Sequence, residues 1–193
     1  MNGFCAKQKR SFHTVLSGLK FARYGKKDVR FLTLTTAVIC KDQQGYEDGS
    51  LNKDFRILQK RISRYSPFKL WRDGYISKSQ MTRKYGHSDL GKRFNFEYFK
   101  VETNEGNGVL HILYRGLYLP YNFLVDNWQD IHLSWDLNIK LVDTKDPVGS
   151  SLYIVSQYVG GQGSAYVRSS QSWKWLFRGF KSAWYDLKFQ VFN

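Results

Sequence analysis

The sequence predicts an α+β protein, an antiparallel sheet with helices on one face. Three observations predict it. Residues 30–38 alternate with period two, two further strands are joined by the tight turn NEGNG at 104–108, and the segments returning between strands carry helical apolar spacing.

The elements follow in order. Residues 1–30 hold eight Lys or Arg against one acid, so 1–29 reads as a basic N-terminal arm with at most one short helix. In RFLTLTTAV (30–38), Leu32 and Leu34 face one way and Thr33 and Thr35 the other, the signature of a strand with one buried face. Turn signals at Gly45 and Asp48-Gly49 precede a helix on which Leu51, Phe55, Leu58, Ile62 and Tyr65 form an apolar stripe. Pro67 ends that segment, and 66–93 reads as a long basic loop. An aromatic strand at 94–103, the turn, and a return strand at 109–115 form a hairpin. Pro120 opens a helix bearing Phe123, Leu124, Trp128 and Ile131, and a strand follows at 138–142. A helix at 147–159 is stopped by Gly160-Gly161. From Ser170, residues Trp173, Leu176, Phe177, Phe180, Trp184 and Leu187 recur at helical spacing among basic residues. That order gives a ferredoxin-like or RRM-like βαββαβ core over 30–162, preceded by the arm (1–29) and followed by an aromatic, basic, helical extension (163–193).

Composition narrows the function. Thirty Lys and Arg face sixteen Asp and Glu in 193 residues, a formal charge of +14. A compact domain this basic repels itself, and such charge is usually retained for a polyanion. With 42% apolar and 17% aromatic residues, the chain is rich enough in core formers to exclude general disorder. Cys5 and Cys40 lie in no CxxC, which excludes a zinc-finger cluster and points to a reducing compartment, the cytoplasm. No apolar run approaches the ~20 residues that span a bilayer, so stable membrane insertion is not expected.

Two stretches carry candidate chemistry. On the hairpin, Val109, His111, Leu113 and Arg115 share one strand face, and Glu102 lies on the facing strand. A carboxylate and an imidazole on paired strands could share a divalent ion, and could equally be a plain hydrogen-bonded pair. In SSLYIVSQYVGGQ, a helix puts Tyr153 and Gln157 on one face at i and i+4. A tyrosine can attack a phosphodiester as a nucleophile, while Tyr153 and Tyr158 could also be core aromatics.

A strand of type FLTLT, a strand ending in Glu, a Gly-rich turn, a His-bearing strand and a Tyr-bearing helix YIVSQY, in that order, resemble the HUH superfamily of rolling-circle replication initiators. The likeness is nearest to the filamentous-phage and plasmid type and spans about 30–162. The resemblance implies that His111 and Glu102 hold Mg²⁺ or Mn²⁺ and that Tyr153 nicks DNA with Gln157 as its partner. Leu113 stands where the family's second histidine is expected, and Gln157 where a lysine is usual. A third ligand would then come from His87, His132 or Gln157. Either an altered site still nicks, or the chain keeps the DNA surface without the cleavage. The implied partners are single-stranded or hairpin DNA and host replication proteins.

The expected phosphate contacts are Arg56, Lys60, Arg61 and Arg64 on the first helix, and Lys69, Arg72, Arg83, Lys84, Lys92 and Arg93 in the basic loop, with the arm adding to them. Trp71, Tyr75, Phe96 and Tyr98 are candidates for stacking on bases. An RNA-binding role, or a membrane surface met by the C-terminal aromatic helix, stands as the alternative from another class.

Overall fold

The alternating segments form five strands: β1 (Val29–Thr35), β2 (Glu97–Thr103), β3 (Val109–Arg115), β4 (Leu137–Leu141) and β5 (Tyr166–Gln171). They pair in one antiparallel sheet of order β4-β1-β3-β2-β5. The computed structural model describes residues 5–25, 27–36, 50–103, 108–159, 166–172 and 175. Six α-helices lie among them: α1 (Ala6–Tyr24), α2 (Ser50–Ile62), α3 (Pro67–Arg72), α4 (Lys78–Lys84), α5 (Tyr121–His132) and α6 (Pro147–Tyr158).

β1, α2, β2, β3, α5 and β4 make the expected βαββαβ core, and its two crossover helices share one face as expected. Leu32, Leu34, Leu110, Ile112 and Tyr114 point into that face. They meet Phe55, Leu58 and Ile62 of α2 and Phe123, Leu124 and Trp128 of α5, all buried. The opposite face also carries helices. There Val29, Phe99, Val101 and Leu113 pack against Phe12, Val15, Leu16, Leu19 and Ala22 of α1 and Ile154 and Val155 of α6.

Three expectations change. The supposed basic arm is α1, a helix of 19 residues whose apolar stripe recurs at steps of three and four between the lysines. Its Gly18 leaves room for the buried Trp175, whose indole N–H donates to the Thr14 carbonyl at 3.0 Å. A Cβ at Gly18 would run into that indole. The supposed loop at 66–93 contains α3, α4 and a turn of 3₁₀ helix at His87–Asp89. Its helix starts are written locally. Ser66 before Pro67 caps α3, and Ser77 with Gln80 forms a capping box on α4. Finally, the segment after Gly160-Gly161 returns as β5 along the free edge of β2. Of the helix expected from Ser170, residues 170 and 171 belong to β5, and all but 170–172 and 175 lies outside the described residues.

Candidate functional site

The sheet register decides which side chains can meet. Thr33 of β1 lies opposite His111 of β3 and Asn138 of β4, and Phe31, two residues before it, lies opposite Leu113 and Lys140. Directly opposed residues project from the same face, so Asn138, Thr33 and His111 form a polar row across three strands. Helix α6 crosses the same face. Its start is fixed by Asp146, whose carboxylate accepts the Gly149 N–H at 2.9 Å, and by Pro147 at the first helical position. A Cβ at Gly149 would meet that carboxylate and shift it.

Between α6 and the β4 margin lies a cleft of about 460 Å³. It is lined by His111 and Thr33 of the sheet, Asn138 and Lys140 of β4, Asp143 just after that strand, and Tyr153 of α6. His111 is buried, its imidazole stacked on Phe31 at 5.9 Å with 12° between planes. Tyr153 is 59% exposed, so its ring reaches solvent and is not a core aromatic. The structure thus joins two residues that the sequence keeps 42 positions apart, and supplies Lys140, which sequence reading passed over. The signal for Lys140 was the alternation of β4, which sets Asn138 and Lys140 on the face of Thr33 and Phe31. Gln157 is exposed one turn after Tyr153 and does not line the cleft.

Glu102 does not join His111. Opposite His111 is Val101, and opposite Leu110 is Glu102, so a step of one residue turns the carboxylate to the other face. There it accepts from the Asn52 amide, whose oxygen in turn takes the Lys100 ammonium. The suggested third ligands are equally placed apart. His132 is fully buried under the α2/α5 face, Nδ1 at 2.8 Å from Asp54 and Nε2 at 3.0 Å from the Thr36 hydroxyl. His87 is exposed in the 3₁₀ turn. Among the described residues no group of three His, Cys, Asp or Glu could hold a metal ion. The ligand set implied by the resemblance therefore does not fit this arrangement.

The expected phosphate contacts divide by location. Arg56, Lys60 and Arg64 are exposed on or just after α2. Arg61 is engaged with Asp130 at 2.6 Å, Arg72 with Asp73 at 2.9 Å, and the Lys69 ammonium sits 4.2 Å from the Tyr65 ring centre. Arg83, Lys84, Lys92 and Arg93 converge on a second cleft at one end of the sheet. Of the stacking candidates, Phe96 lies 4.9 Å from Tyr114, Tyr98 5.1 Å from Phe55, Tyr75 5.2 Å from Phe123 and Trp71 5.3 Å from Phe68, centre to centre. All four rings are half-buried against the core, whereas Trp135, at 56% exposure, is open to solvent.

No helix among the described residues is long and apolar enough to cross a membrane. No family model matches this chain, and comparison with curated proteins and with solved structures returns no significant match.

Proposed function

We propose that this chain is a DNA-binding protein of the replication-initiator kind, receiving single-stranded or hairpin DNA at the cleft where α6 meets the sheet. The observation that carries the reading is the meeting of Tyr153 with His111 and Lys140 in one solvent-reached cleft on a βαββαβ sheet. An exposed phenol presents a π-face to a base and a hydroxyl to a phosphate, and a nearby ammonium neutralises that phosphate. The formal charge of +14 is of the sign such a partner needs.

The same groups define what cleavage would require of this chain. The Tyr153 oxygen would attack a backbone phosphorus and form a phosphotyrosine while the strand's 3′-hydroxyl leaves with a proton. Lys140 would offset the charge that develops on the phosphate oxygens. The Mg²⁺ or Mn²⁺ of the resemblance finds no Glu102–His111 pair here, and no step of the proposal runs through a metal.

Incubation with labelled single-stranded DNA, with and without Mg²⁺ or Mn²⁺, followed by a denaturing gel, tests the reading. A protein–DNA adduct that vanishes in Tyr153→Phe establishes nicking. Salt-sensitive binding that weakens in Lys140→Gln, with no cleavage under either ion, establishes a binding protein. Binding indifferent to both substitutions, or tighter binding to structured RNA, sinks the proposal.

A further inference from the structure

The second cleft, about 660 Å³, lies between α4, the segment 89–95, the start of β1 and the turn that follows β3. Seven basic and three acidic side chains line it. Each acid is already taken by one base: Asp28 by Arg30 at 2.9 Å, Asp89 by Lys92 at 2.8 Å and Glu97 by Arg115 at 2.6 Å. Lys27, Arg83, Lys84 and Arg93 remain without a carboxylate partner among the described residues, an excess of four positive charges in one concavity.

That excess is built into the fold. The Arg30 guanidinium lies 5.3 Å from the centre of the Tyr118 ring and the Lys84 ammonium 5.0 Å from the same centre. One ring therefore gathers Arg30, whose charge Asp28 meets, and Lys84, whose charge an anion in the cleft would offset. Tyr118 is itself positioned, its carbonyl accepting the buried Tyr85 hydroxyl at 2.6 Å. Gly116, at φ +159°, brings the chain after β3 so close to 92–95 that a Cβ would stand 2.5 Å from the Asn95 carbonyl oxygen. Arg115, buried beneath, donates to Glu97 and to the Gly18 carbonyl and fixes the end of β3 against α1. The wall is thus closely packed, and the four excess cations line the same cleft.

We propose that this cleft is a binding site for the phosphate of a nucleotide, organised by Arg30, Lys84 and Tyr118 and completed by Arg83 and Arg93. Guanidinium and ammonium groups around one concavity fit a phosphate, because planar forks take two of its oxygens and point charges the rest. A strand's backbone and a free nucleoside triphosphate both present that group. The site is separate from the Tyr153 cleft and does not depend on what happens there.

The test compares two double variants of equal charge in the full chain. Lys84→Gln with Arg93→Gln empties the cleft of two cations, and Lys53→Gln with Lys145→Gln removes two exposed charges outside both clefts. Binding of a labelled oligothymidylate is followed by anisotropy across a salt series, and binding of ATP by calorimetry. The cleft variant is expected to weaken at least one ligand about tenfold, with the oligonucleotide's salt slope shallower by about 0.7 for each phosphate no longer neutralised. The control variant is expected to stay within about twofold. Loss of oligonucleotide binding alone assigns the site to a strand, and loss of ATP binding alone assigns it to a free nucleotide. Tyr118→Leu, which removes the ring that gathers Arg30 and Lys84, is expected to weaken in step with the cleft variant. Equal losses in both double variants, or none in either, overturn the proposal. A silent cleft variant beside a Lys140→Gln that still loses DNA would overturn it and leave the Tyr153 reading standing.

Discussion

The two faces of the sheet are closed to different extents. Under α2 and α5 the face is filled from β2 to β4 with aliphatic and aromatic side chains, and it holds His132 bonded to Asp54 and Thr36 and Asn52 bonded to Lys100 and Glu102. Under α1 and α6 the buried cluster runs from Phe99 and Val101 of β2 across Leu113 of β3 to Val29 of β1, and no β4 residue belongs to it. Beyond His111 it opens into the cleft, where Lys140 and Tyr153 reach solvent. The sheet thus divides its labour. The closed face is where removing a side chain should cost stability, and the margin of the other face is where a polar group can stand without a core to satisfy.

The sharpest way to break that contrast is to hollow out the closed face. Trp128 is fully buried, stacks on His132 at 4.5 Å between ring centres and donates its indole N–H to the Thr35 carbonyl at 3.1 Å. Trp128→Ala is expected to cost ~3–5 kcal/mol in urea unfolding, the range for a large aromatic deleted from a core. A loss under about 1 kcal/mol would mean that this face does not hold the fold together.

On the half-open face the joint between α1 and Trp175 offers a test of sign. Gly18 sits mid-helix, where propensity alone makes Ala better by ~1 kcal/mol. A Cβ there meets the Trp175 indole, and overpacking of this kind costs ~1–3 kcal/mol. The steric term should win, so Gly18→Ala is expected to lower the urea midpoint. A raised midpoint would show that the indole moves aside freely and that α1 is docked loosely.

These two tests also mark what the sequence made legible. The stripe on α2 and the alternation of β1 were readable because one local period runs through each. Helix α1 was hidden because its stripe is flanked by Lys7, Lys9, Arg10, Lys20 and Arg23, and charge density outweighed periodicity. In the basic segment, Ser66-Pro67 and Ser77 with Gln80 announced two helix starts too short to carry a stripe of their own. Glu102 failed for a different reason. Nearness across a hairpin is set by loop length, but the face is set by the parity of the register, which the sequence does not print. Tyr153 and His111 were each visible alone. Their meeting depends on α6 crossing β3, a long-range contact that no local pattern encodes.

Alkaline pH sharpens the same contrast. Burial pushes the Tyr85 and Tyr114 phenols well above their ordinary range, and both lie under the closed face. Folding favours the neutral phenol, so this contribution is complete below the unfolded value of about 10. It is lost as pH rises from there through the folded values. Unfolding free energy should therefore fall steeply above pH ~10. Tyr85→Phe should flatten part of that fall while costing ~0.5–1.5 kcal/mol at neutral pH for the bond to the Tyr118 carbonyl. A slope unchanged in Tyr85→Phe would place the alkaline sensitivity on other groups.

The smallest effect on stability is expected where the functional effect is expected to be largest. Tyr153 and Lys140 are exposed, and neither fills the core. Tyr153→Phe and Lys140→Gln should each leave unfolding free energy within ~0.5 kcal/mol of the parent, as surface changes away from caps and cores do. DNA retention across a salt series should nonetheless fall in Lys140→Gln, because a phosphate contact contributes to binding in proportion to the counterions it releases, whether or not it contributes to folding. If Lys140→Gln destabilised the fold as Trp128→Ala does, the β4 margin would belong to the core, and the open cleft would lose its claim to be a site. Stability unmoved while binding falls is the pattern that separates a surface kept for a partner from one that is only solvated.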